Sequence, residues 1–148
     1  MRKIYLTLLA LIVSCSFAFA QTGYVDYGYI YGNYPLARQY GTTIKNKQNQ
    51  IINFAQQKDA QAKTIQNADE RKNAIQEGLK QVEEKGNELK KLKRQYENEI
   101  DLKIKKASET VRVQKGLDII IKADLRVTGG VDCTNEVLNI LKNQQGAK

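Results

Sequence analysis

From Ile75 onward the chain places an apolar residue at every third or fourth position: Leu79, Val82, Leu89, Leu92, Tyr96, Ile100, Ile104, Ala107 and Val111, with Gly86 interrupting the row. This spacing lays one narrow stripe along a helix and predicts a second helix packed across it, as in a coiled coil. The preceding segment is poorer. Between Thr42 and Gly78 the large apolar residues are Ile44, Ile51, Ile52, Phe54, Ile65 and Ile75, 6 in 37, with alanines interspersed. A helix of that composition buries little by itself, so it is expected to pack on the one that follows. Glycine signals a helix C-terminus, which puts the expected break near Asn73 to Gly78, with Gly86 as the other candidate. The result is two arms of about 40 residues, each roughly 60 Å long at 1.5 Å per residue.

The two ends follow a different period. Val25, Tyr27, Tyr29 and Tyr31 share a face if extended, because strand side chains alternate. Leu117, Ile119 and Ile121 alternate with Asp118, Ile120 and Lys122. Ala123-Asp124 is a turn candidate before a second strand over Leu125 to Thr128, and Gly129-Gly130 breaks that pattern. Asp132 or Thr134 can cap a final helix carrying Val137, Leu138 and Leu141 on one face. The economical topology pairs the first strand with the last ones. The expected fold class is therefore α+β: a small β-sheet body from 21–34 and 116–148, with a long antiparallel helical hairpin, 35–115, projecting from it as a coiled-coil arm. The expected body core is Val25, Leu117, Ile119, Ile121, Val137, Leu138 and Leu141. The tyrosine cluster is expected to pack against the sheet, since buried rings chiefly supply apolar area.

Composition changes this picture in three ways. First, the chain of 148 residues has no histidine and two cysteines, which removes the usual neutral-pH general base and the commonest nitrogen metal ligand. Triad hydrolases and His-ligated metal sites are excluded; no catalytic residue, cofactor or metal is expected. Adjacent carboxylates such as Glu83-Glu84 are solvated helix neighbours with no phosphate loop or cleft signature nearby. Second, Arg2 and Lys3, the apolar run Ile4 to Val13 and small residues at Ala18 and Ala20 form a secretory signal over 1–20, with cleavage expected after Ala20. The apolar run is too short for a spanning helix, which needs roughly 20 residues. The rival is Ile12-Val13-Ser14-Cys15, which looks like a lipoprotein processing site and would leave a lipidated Cys15. Cleavage after Ala20 leaves Cys133 as the one thiol of the exported chain, 21–148, read as a single domain without an internal disulfide.

Third, the charge is localised. Residues 42–115 hold 17 basic and 11 acidic side chains, whereas 116–148 hold four of each. The pairs Asp59–Lys63, Glu99–Lys103 and Asp101–Lys105 have favourable helical i, i+4 orientation. A body of about 50 residues is marginal as a lone core, so association between copies is expected.

GYVD at 23–26, a helix started by Pro35, a charged hairpin, KGLDIII at 115–121 and VDCTNEVLNIL at 131–141 follow in an order that resembles the Skp/OmpH family of periplasmic chaperones across 21–142. Cys133 stands where that family usually has Ile or Leu, and a free cysteine behaves as a small buried hydrophobe. Members of the family leave the first strand soon after the Asp for a short helical turn, so the strand is expected to end near Asp26 or Tyr27. The resemblance implies a homotrimer whose three sheets form a body and whose hairpins surround a cavity. It also implies a periplasmic, ATP-independent holdase for unfolded outer-membrane β-barrel proteins. On that basis Ile51, Phe54, Ile65, Lys72, Ile75 and Lys80 are the expected client-facing arm residues. The basic arms would speed capture of acidic clients and allow transient contact with an anionic membrane surface. Nucleic acid is not an expected partner, since no base-reading motif is present. The alternative function is a structural or tethering envelope protein, lipidated at Cys15, with the hairpin as spacer.

Overall fold

A computed structural model describes residues 21–146. The expected signal segment 1–20, and with it the choice between cleavage after Ala20 and lipidation at Cys15, lies outside the described residues. The described chain is mainly helical and carries one small parallel sheet, an α+β arrangement. Its elements are β1 (Thr22–Val25), α1 (Tyr27–Asn33), α2 (Pro35–Thr64), α3 (Ala68–Lys115), β2 (Ile119–Lys122), a 3-10 turn (Ala123–Leu125), β3 (Val131–Asp132) and α4 (Thr134–Gly146).

β1 is the centre of the sheet, in the order β2-β1-β3, and both neighbours run parallel to it. Thr22 faces Ile119 and Tyr24 faces Ile121 on one side; Gly23 faces Val131 on the other. Gly23 in β1 is tightly enclosed, and any side chain there forces its neighbours to shift. A Cβ at Gly23 would stand 2.8 Å from Leu117 Cδ1 and 3.0 Å from Cys133 Sγ, inside contact distance for both.

The strand stops at Asp26, within the expected bounds. Its carboxylate accepts from the Tyr29 N–H at 2.9 Å, the N-cap of α1. The tyrosine run is consequently helical. Period two selects Tyr27, Tyr29 and Tyr31, but the helical period also recruits Ile30 and Tyr34, and these two are the buried ones. Pro35 then opens α2, where its missing N–H and fixed φ fit the first helical turn.

The break between the long helices falls at residues 65–67, not at Asn73 to Gly78. Asn67 decides it: its side chain accepts from the N–H groups of Asp69 (2.9 Å) and Glu70 (3.2 Å). Asp69 and Glu70 place negative charge in the first turn, where the helix dipole favours it. Arg71 adds bonds from its guanidinium to the carbonyls of Ile65 and Gln66. Gly78 is instead buried inside α3, and a Cβ there would lie 3.3 Å from Lys58 Cβ of α2. It marks a close helix approach rather than a helix end. The helices are therefore unequal, 30 and 48 residues, about 45 and 72 Å long. Glycine does end α3, at Gly116 with φ 64°. There the Gly116 N–H donates to Val113 O and the Leu117 N–H to Arg112 O, which closes the last turn.

The C-terminal zone departs from expectation once more. Leu125 to Thr128 is not a strand; the extended pair on the far side of Gly129-Gly130 is. Both glycines adopt positive φ, and Gly130 packs so closely that a Cβ would sit 3.1 Å from Thr22 O. The loop thus carries the chain past β1, so that β3 pairs parallel on the opposite edge, leaving Leu125 and Val127 exposed. Within β2 the face is also reversed: Ile120 packs on the core, Ile121 is half-buried and Ile119 is 52% exposed. The expected core residues Val25, Leu117, Val137, Leu138 and Leu141 are buried. They are joined by Ile30, Tyr34 and Cys133, and by Ile100, Ile104, Ala107 and Val111 from the end of α3.

Candidate functional site

The core spans the root of the long helices and no more. Between Tyr40 and Ile100 the buried residues are Ala62 and Gly78, so this whole stretch of α2 and α3 is solvated on most sides. Contacts between the two helices link early positions of α2 to late positions of α3, and late to early.

At the root, the Tyr40 and Tyr96 rings stack with centroids 3.8 Å apart. The Tyr40 hydroxyl donates to Glu99 at 2.7 Å and the Tyr31 hydroxyl to Asp101 at 2.9 Å. A phenol that donates to a carboxylate resists ionisation. Accordingly the Tyr40 pKa is pushed up to about 12, chiefly by its bond to Glu99, and that of Tyr31 rises through burial and its bond to Asp101. Of the three expected i, i+4 ion pairs, Asp59–Lys63 (2.6 Å) and Glu99–Lys103 (3.7 Å) form. Asp101 is engaged by Tyr31 instead.

Midway along, Ile51 and Phe54 of α2 meet Leu89 and Leu92 of α3 around an open groove. The Phe54 ring has the ammonium groups of Lys58 and Lys85 at 5.4 and 4.9 Å from its centroid, in cation–π range. Further out, Ile75 lines a smaller cleft with Ala55, Ala74, Leu79 and Val82 around Gly78. Ile75 stays 45% exposed and Leu79 65%. Ile65 lies between the helices, half-buried.

Of the expected client-facing residues, then, Ile51 and Phe54 are brought together in one groove, while Ile75 lies in a separate cleft. Lys72 and Lys80 are exposed and make no ion pair among the described residues. Leu89 and Leu92, which complete the groove, belong to the apolar stripe. Their spacing announced a helix contact but not that the contact would stay open.

The body offers little chemistry. Burial pushes the Cys133 thiol above its usual range, which keeps it protonated and unreactive. Asp132 is held below the ordinary carboxylate range because it accepts hydrogen bonds from Thr134 at the start of α4. Lys115 and Glu136 pair and tie α3 to α4. Among the described residues, no group of three or more His, Cys, Asp or Glu side chains could hold a metal ion. No helix among them is long and apolar enough to cross a membrane. Compared with family models and with curated proteins, the chain has no match.

Proposed function

We propose that the chain is an ATP-independent periplasmic holdase of the Skp/OmpH kind, which encloses unfolded outer-membrane β-barrel proteins and prevents their aggregation. On this proposal α2 and α3 form an antiparallel hairpin arm, three copies associate through their bodies, and no covalent chemistry is catalysed. The observation that carries it is the long, solvated pair of helices whose apolar residues, Ile52, Ile75 and Leu79 among them, remain about half or more exposed. Water-facing apolar area of that extent suits many weak contacts with a non-native chain. An unfolded barrel offers amphipathic strands with unpaired edges, which aggregate unless kept apart. The exposed Ile119 and Val131, on the two outer strands of the sheet, support association of the bodies.

The decisive experiment dilutes a urea-unfolded β-barrel into buffer with the purified protein and follows turbidity without nucleotide. Suppression that weakens in high salt is expected; no suppression at a molar excess of protein overturns the proposal. Light scattering is expected to give three times the chain mass. A tethering protein anchored at Cys15 is the rival, favoured by Ile12-Val13-Ser14-Cys15. Mass spectrometry of the mature amino terminus separates the two, since a diacylated Cys15 weighs against a free holdase.

A further inference from the structure

The mid-arm groove has a volume of about 640 Å³ and a lining of three distinct chemistries. Its apolar part is Ile51, Phe54, Leu89 and Leu92, each half-buried, so neither helix covers the other's stripe there. Its charge is one-sided. Lys47, Lys85 and Lys91 face it, opposed by Glu88 alone among its lining residues. None of these three lysines has a carboxylate within ion-pair distance among the described residues.

The third chemistry favours one occupant. Gln50, Asn53, Gln57 and Gln95 also line the groove, and none makes a side-chain hydrogen bond among the described residues. An amide side chain offers a donor and an acceptor together. All four are exposed; an extended polypeptide presents N–H and C=O groups in alternation that can replace the water they hold, whereas a lipid acyl chain offers neither. Period-two side chains would put one set on the floor and leave the other within reach of the lysines, of which Lys85 already sets its ammonium 4.9 Å from the Phe54 ring centroid.

We infer that the groove between α2 and α3 binds an extended polypeptide segment in which apolar and acidic residues alternate. That this segment belongs to an unfolded β-barrel chain rests on the holdase reading; the groove's selectivity does not.

The test measures fluorescence anisotropy of a short labelled peptide alternating Glu with Val and Phe, added to the full-length purified protein. A matched peptide with Lys in place of Glu and vesicles of phosphatidylglycerol serve as competitors. Saturable binding of the acidic peptide alone is expected. Lys47→Gln, Lys85→Gln and Lys91→Gln together should weaken it about tenfold, at a few tenths of a kcal/mol per exposed contact, and flatten its salt dependence. Leu89→Gln should weaken it with the salt dependence retained, and circular dichroism checks that each variant stays helical. Equal binding of the basic peptide, unchanged binding by the triple variant, or displacement by the vesicles would each overturn the assignment. The turbidity assay keeps the two proposals apart. Suppressed aggregation without peptide binding sinks the groove and leaves the holdase; peptide binding without suppression does the reverse.

Discussion

The two ends of α3 carry the same apolar spacing and meet opposite fates. Ile100, Ile104, Ala107 and Val111 are at most 1% exposed, whereas Ile75 and Leu79, on the same stripe, are 45% and 65% exposed. Nothing in the helix itself distinguishes them. The difference is in what stands opposite: α1, α4 and the sheet around the inner end, and the alanine-, glutamine- and lysine-rich α2 alone around the outer end. A helix of period 3.6 specifies which face turns inward; the bulk of the partner determines how completely that face is covered.

Mutations can break this contrast, and the largest effect belongs to the inner end. Ile104→Ala leaves a cavity in the fully buried core and should cost about 2–5 kcal/mol, read from the midpoint of urea unfolding. A loss under about 1 kcal/mol would mean the inner stripe is no better covered than the outer one. Gly23→Ala tests the tightness of the same core from the sheet side. Its Cβ meets Leu117, Cys133 and Ile120 within 3.1 Å, so about 1–3 kcal/mol of overpacking is expected. Asn67→Ala acts at the break between the two long helices. Losing the cap should cost about 1 kcal/mol locally, visible as about fivefold faster hydrogen exchange at Asp69 and Glu70 with an unchanged global midpoint.

A milder perturbation is pH. The fold raises the Tyr40 pKa to about 12, so the stability it contributes is complete below the unfolded value near 10 and is lost as pH rises through about 12. Ultraviolet titration of tyrosinate should therefore retain a late-ionising fraction, and Glu99→Gln should make that fraction smaller. Smallest of all, Leu79→Ala should change the unfolding midpoint by no more than about 0.5 kcal/mol, because the side chain is already mostly hydrated.

The sequence disclosed periodicity well and partners poorly. The stripe of α3, the start of α2 at Pro35 and the apolar face of α4 could each be read from local signals. The break between the two long helices lies away from Gly78 because glycine has two uses, helix end and close approach, and Gly78 serves the second. Asn67 followed by Asp69 and Glu70 was the stronger signal, a cap with negative charge in the first turn. In β2 three consecutive isoleucines fit either face equally, so period two could not show that Ile120 points inward. As for the groove, Ile51 and Phe54 were legible as apolar residues on a polar helix. Its openness depends on the diameter of the facing side chains, which no single-helix pattern encodes.

The position of β1 at the centre of the sheet imposes an order of events on folding. Just ahead of it Gln21 and Asp118, 97 positions apart, exchange hydrogen bonds, and both of its partner strands come from the last quarter of the chain. Closing a flexible loop of that length would cost about 4 kcal/mol before any sheet contact repaid it. The long helices can form first from local bonds, and their pairing brings Tyr40 beside Tyr96, so the distance left to search is short. On that order the paired long helices would also be the zipper that assembles the body. Substitutions at the Tyr40–Tyr96 stack should slow refolding more than they speed unfolding.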